Sequence, residues 1–109
     1  MDAALKNRIM QEITSSPIMI YMKGTREMPQ CGFSNQVVQI FKTLDVPFAT
    51  SNVLEDQTLR DGIKEYANWP TIPQVYVAGE FIGGCDIITE MYQSGELQTL
   101  LKEKCGDVS

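Results

Sequence analysis

Apolar positions change period several times along the chain. Leu5, Ile9 and Ile13 recur at steps of four within residues 3–14, which predicts an amphipathic helix with Asp2 as its cap. The period then vanishes: PIMIYM (17–22) is a continuous apolar run, the pattern of a short strand buried on both faces. KGTREMPQ (23–30) reads as a loop. From Cys31 onward, Phe33, Val37, Phe41 and Leu44 share one helical stripe, widened by Val38 and Ile40. PFATSNV (47–53) predicts a second strand, and Leu59, Ile63 and Tyr66 return to helical spacing with Asp56 near the start. PQVYVAGEFIGG (73–84) predicts a hairpin, two short β-rich runs around Ala78-Gly79. DIITEMYQSGELQTLLKEK (86–104) is helical and broken at Gly95, with Asp86 placed to cap its first part; Leu97, Leu100 and Leu101 give the second part an apolar face.

The predicted order is α-β-α-β-α-β-β-α-α. A first β-α-β unit requires parallel strands with a right-handed crossover, and the hairpin then adds two antiparallel strands. The expected architecture is α/β: a small four-stranded mixed sheet flanked by helices on both faces. With no repeat, linker or composition break, residues 1–109 are expected to form a single domain.

Composition narrows the chemistry. Apolar residues make up 43% of the 109 positions, enough for one core. Nine basic residues against 14 acidic ones give a net charge of −5, which disfavours nucleic acid as a partner. Histidine is absent, so no Ser–His or Cys–His catalytic pair is available, and neither is the commonest zinc ligand. Three scattered cysteines, at 31, 85 and 105, fit neither a structural zinc site nor a disulfide scaffold. MDAALKNRIM has no signal-peptide pattern, and no apolar run approaches the ~20 residues of a membrane helix. A soluble protein of a reducing compartment, the cytoplasm, is expected, with no membrane partner.

Four features can carry chemistry. Cys31 stands at a predicted helix N-terminus, where free N–H groups and the helix dipole favour thiolate; the alternative is a buried, inert cysteine. Gly32 beside it permits close approach of a ligand backbone. In WPTIPQVYV (69–77), Pro73 precedes a strand. If the Ile72–Pro73 bond is cis, the Ile72 backbone is left to pair with an extended peptide; an ordinary trans proline opening a strand is the alternative. Trp69-Pro70 reads as packing. In GGCD (83–86), a helix start can hold a carboxylate while Asp86 meets an ammonium, or Asp86 only caps. Of the basic residues Lys23, Arg26, Arg60 and Lys64, which default to solvated surface, Lys23 ends the buried strand and is placed to point toward Cys31.

Together, KGTREMPQCGFS, NWPTIPQVYV and GGCDI closely resemble the monothiol glutaredoxins of the CGFS type, over residues 17 to 101. The resemblance implies a thioredoxin-like (glutaredoxin) fold. It also implies that Cys31 ligates a 2Fe–2S cluster shared between two chains in a homodimer, each chain bringing one glutathione. Four thiolates complete such a centre. Ser34, where dithiol relatives carry a second cysteine, would keep Cys31 out of a disulfide. By the same resemblance, Lys23 and Arg60 hold the glycyl carboxylate of glutathione, Ile72 before a cis Pro73 pairs with its cysteinyl backbone, and Cys85 and Asp86 hold its γ-glutamyl end. The loop 24–30 matches a longer pre-cysteine loop that seats glutathione less favourably for turnover. Cys85 stays open between ligand contact, redox partner of Cys31 and plain backbone position; Cys105 lies outside every motif and takes no role. The implied function is iron–sulfur cluster storage and transfer in redox and iron homeostasis. The alternatives are a weak glutathione-dependent oxidoreductase acting by a monothiol route, and a regulatory module. Iron–sulfur acceptor or regulatory proteins are the implied partners.

Overall fold

The structure is a computed structural model that describes residues 1–106. Residues 107–109, included in the expected domain, lie outside the described residues. The elements are α1 (Ala3–Thr14), β1 (Ile18–Met22), α2 (Gly32–Leu44), β2 (Ala49–Asn52), α3 (Gln57–Ala67), β3 (Gln74–Val77), β4 (Glu80–Gly83), α4 (Cys85–Ser94) and α5 (Glu96–Cys105), with a 3-10 turn at Val53–Glu55. The sheet order is β2-β1-β3-β4. β1 runs parallel to β2, Met19 opposite Ala49, and antiparallel to β3, Ile18 opposite Val77 and Tyr21 opposite Gln74. β3 and β4 form the expected hairpin, turning through Ala78 and Gly79, both at positive φ.

β1 is buried along its whole length, and its alternation feeds two cores. Ile18, Ile20 and Met22 pack with Val37, Val38 and Phe41 of α2, Ile88 of α4 and Leu97 and Leu101 of α5. Met19 and Tyr21 face the other way, against Ile9 and Ile13 of α1, Leu59 and Ile63 of α3 and Tyr76 of β3. The absence of polar alternation in PIMIYM is thus explained: helices cover both sides of this strand. Polar bonds tie the second core to the helix starts. Asp2 accepts the Ala4 N–H at 2.9 Å, and Asp56 accepts the Leu59 N–H at 3.0 Å while pairing with Arg8 at 2.8 Å.

Two local expectations change. β2 is shorter than residues 47–53, because the Asn52 side chain takes the Leu54 N–H at 3.0 Å and bends the chain into the 3-10 turn. Asp86 does not cap α4: Gly84 is the N-cap, and Asp86 stands exposed in the first turn with its carboxylate free for other partners. Gly84 has a packing reason to be there. A Cβ at this position would lie 3.2 Å from both the Pro73 carbonyl and Trp69 Nε1.

Candidate functional site

The C-terminal end of β1, the start of α2, the segment 69–73 and the start of α4 converge on a cleft of about 370 Å³, a size suited to a small ligand. Lys23, Cys31, Phe33, Lys64, Ile72, Pro73, Cys85 and Asp86 all line it. Six of the seven residues singled out from sequence are therefore brought together. Arg60 is the exception: it sits half-buried on α3 outside the lining. Lys64, one helical turn on and nearer the end of α3, stands on the cleft wall.

Cys31 is the N-cap residue of α2, with extended backbone (φ −146°, ψ 135°), and its side chain forms no capping bond. The thiol is half-buried and free. Burial alone would push it up. The N–H groups of Ser34 and Phe33, the Ser34 hydroxyl and the Lys23 ammonium outweigh burial and hold the thiol below its ordinary range. Its flank is open: apart from its chain neighbours and the backbone of its own helix, nothing lies within 4 Å of where a Gly32 Cβ would stand, and Phe33 is 62% exposed.

Cys85 lines the same cleft but differs in burial and in the direction of its shift. It is 8% exposed, and its pKa is raised, first by burial and then by the charges of Asp86 and Cys31, with Thr89 opposing. Its Sγ lies 3.9 Å from the Thr89 hydroxyl, which itself accepts from Gln36 of α2 at 2.7 Å. Cys105 lies at the other end of the sheet, 3.8 Å from the Pro17 carbonyl, and burial raises its pKa.

Ser34 has a role that the sequence did not disclose. It is fully buried and its hydroxyl accepts the Lys23 N–H at 3.1 Å, tying the end of β1 to the first turn of α2. The loop between them is pinned throughout. Gly24 donates to Asn52 Oδ1 at 2.9 Å, Gln30 donates to the Lys23 carbonyl at 2.9 Å, and Thr25 and Met28 exchange backbone bonds. Arg26 is an anchor: its guanidinium donates to the Phe48 carbonyl at 2.8 Å and lies 3.9 Å from the Phe48 ring centre.

The Ile72–Pro73 bond is cis. The β1–β3 register ends at Tyr21 opposite Gln74, and Ile72 joins no turn, cap or loop hydrogen bond among the described residues. Its backbone is available to a ligand on the cleft wall. Trp69 packs as expected, 5.5 Å from the Phe81 ring, and its ring also lines the cleft. Its indole N–H is buried without a partner among the described residues.

This arrangement defines a class: a mixed-sheet thiol protein with one thiolate-prone cysteine at a helix start, beside a cleft with cationic walls and a free backbone edge. The glutaredoxin family model matches residues 18–82. An uncharacterized monothiol glutaredoxin of Synechocystis is 60% identical over 94% of this chain and 95% of its own. The chloroplastic monothiol glutaredoxin-S14 of Arabidopsis thaliana is 55% identical over 86% of this chain, which spans 54% of that relative's length. The solution structure of reduced apo GrxS14 from poplar superposes with a TM-score of 0.83, at 51% identity over 93% of both chains. The chain belongs to the glutaredoxin family, among its monothiol members, and has the thioredoxin-like fold that family implies.

Proposed function

We propose that this chain binds glutathione in the cleft and holds a 2Fe–2S cluster at the interface of a homodimer, for cluster storage and transfer in redox and iron homeostasis. One observation carries the reading. Among the described cysteines, Cys31 alone is both accessible in the cleft and held toward thiolate, while Ser34 fills the place of a resolving thiol. The donor set fits such a cluster only if it is shared. Among the described residues no group of three or more histidine, cysteine or acidic side chains converges. Two Cys31 thiolates and two glutathione thiols supply the four ligands a 2Fe–2S centre takes. When bound, the cluster supplies the iron and sulfide that pass to an acceptor protein.

The residues of the chain do the rest. Lys23 favours the Cys31 thiolate, and Lys64 offers a second ammonium to an anionic ligand. Ile72 offers backbone groups to an extended peptide. Asp86, exposed beside the α4 N-terminus, offers its carboxylate to the α-ammonium of the γ-glutamyl end, and the helix start suits the adjoining carboxylate. A reducing compartment is required, and the cytoplasm is the location we assign. Anaerobic reconstitution with iron, sulfide and glutathione should yield a coloured dimer. Cys31→Ser should abolish it and Cys105→Ser should not. A colourless monomer in the presence of glutathione overturns the proposal.

The lowered thiol pKa favours a second reading, monothiol deglutathionylation. The Cys31 thiolate attacks the glutathione sulfur of a mixed disulfide, and the substrate thiolate leaves. A second glutathione thiolate then attacks the Cys31–glutathione disulfide, releasing glutathione disulfide and restoring the thiolate. We expect slow steady-state turnover; brisk turnover would put this activity first.

A further inference from the structure

The cleft wall at 69–73 has no secondary structure of its own and yet carries the free backbone edge. Something must hold it. The Trp69 N–H donates to the Lys64 carbonyl at 3.0 Å, which ties the wall to the end of α3. The Trp69 carbonyl accepts from Gln74 Nε2 at 3.0 Å, and Gln74 Oε1 accepts from the Tyr76 hydroxyl at 3.1 Å. Gln74 is completely buried, the only such side chain besides Ser34 among the described polar residues. Its amide is therefore stapled across the two ends of the loop from Trp69 to Pro73, with one end donating and the other accepting. A buried amide needs both bonds, because a polar group taken out of water and left unpaired loses its hydration with nothing in return. The Tyr76 ring is itself fixed edge-on against Tyr21, with centroids 5.7 Å apart, and against Phe81 at 5.5 Å.

We propose that Gln74 is a positioning residue for the cleft. Its amide clasps the Trp69 carbonyl, oriented by the Tyr76 hydroxyl, and so sets the Ile72 backbone at the spacing an extended thiol tripeptide requires. The ligand part rests on the glutathione reading above; the clasp itself does not. The chemistry makes a sharp demand on substitutes. Leucine can make neither bond. Glutamate has the right shape, but its ionised form has no proton for the Trp69 carbonyl; protonated, it donates there and accepts from Tyr76 as glutamine does. The groups around it hold their protons throughout: burial raises both Tyr76 and Tyr21, with Glu12 adding to the rise at Tyr21. Lys64 is the basic residue in the last turn of the adjoining α3.

The test uses the full apo chain as wild type, Gln74→Leu, Gln74→Glu and Tyr76→Phe, with two readouts: reduced-glutathione affinity by calorimetry, and exchange by NMR of the Trp69 backbone amide, which is bonded to the Lys64 carbonyl. Gln74→Leu should weaken glutathione about tenfold or more and speed exchange at that amide, with far-UV circular dichroism unchanged. Tyr76→Phe, which keeps the ring, should give a smaller effect of the same kind. Gln74→Glu should behave like Gln74→Leu at pH 8 and regain wild-type exchange and affinity as pH falls toward 5, which a merely destabilised fold would not do. Unchanged exchange in Gln74→Leu, or no acid recovery in a folded Gln74→Glu, overturns the clasp. Faster exchange in the variants, together with no glutathione binding by wild type, supports the clasp and sinks the glutathione reading instead.

Discussion

Replacing Ser34 by alanine should damage both the fold and the thiol, by amounts the geometry sets. The hydroxyl is buried completely and is the acceptor for the Lys23 N–H at 3.1 Å, at the junction of β1 and α2. Alanine leaves that amide without a partner in a partly buried place, which costs about 1–3 kcal/mol. For a chain of this size each kcal/mol moves the melting temperature by roughly 4 °C, so a fall of roughly 4–12 °C follows. The thiol should respond as well. The Ser34 hydroxyl is one of the groups that hold the Cys31 pKa down, so the variant pKa should rise. The linkage has a definite sign. The folded chain gives up the Cys31 proton at lower pH than the unfolded chain does. Between the two values the unfolded state binds more protons, and stability climbs with pH; below the folded value that contribution is gone. Ser34→Ala narrows this window. Urea unfolding followed by circular dichroism at several pH values, together with the pH profile of iodoacetamide alkylation, measures both effects. Ser15→Ala, which removes an exposed hydroxyl bonded to the Glu12 carbonyl, is the control and should stay within about 0.5 kcal/mol of wild type. A Ser34→Ala chain within that same margin, with an unmoved alkylation midpoint, would refute the tether.

Three further outcomes follow from the cleft and its loop. Gly24→Ala should destabilise by about 2–4 kcal/mol in urea titration, since its φ is +94° and a Cβ would stand 2.5 Å from the Gln30 nitrogen and 2.6 Å from the Met28 carbonyl. Lys64→Ala should weaken glutathione about five- to tenfold by calorimetry, at least as much as Arg60→Ala, because only Lys64 lines the cleft; a larger loss at Arg60 would show that side chain reaching in. Iodoacetamide at pH 7 should label Cys31 about tenfold faster than Cys85 or Cys105 by peptide mass mapping, since its pKa is lowered and theirs are raised.

What could be read from sequence depended on whether the signal was local. The helices at 3–14 and 32–44 announce themselves by period, and the doubly covered β1 by the lack of one. Ala78-Gly79 marks its turn because both residues occupy positive φ. The cleft residues carried by short motifs were legible for the same reason, as Cys31, Pro73 and Asp86 show. Contacts between distant segments were not. Ser34 lies 11 positions from the amide it serves, Arg26 lies 22 from the carbonyl it holds, and the place of Lys64 on the cleft wall depends on how α3 meets Trp69. Gln74 left one trace, a polar residue heading the apolar run QVYV. Its meaning needed the loop from Trp69 closed in space.

The two cysteines of the cleft illustrate how one small site separates like groups. Both line the same cavity, and the charge of Cys31 opposes ionisation of Cys85. The tie is broken by the backbone around them. Cys31 is the N-cap of α2, outside the helix, with the Phe33 and Ser34 amides turned to its anion and Lys23 adding charge. Cys85 is already inside α4, sealed under neighbouring side chains, with the Asp86 carboxylate beside it. An ionised Cys31 therefore makes ionisation of Cys85 harder, and Cys31 is the first of the two to give up its proton. That asymmetry suits a site that offers a single sulfur to a shared centre or to a mixed disulfide. Among the readings left open for Cys85, it speaks against a redox partner of Cys31 and for a ligand contact or plain backbone position.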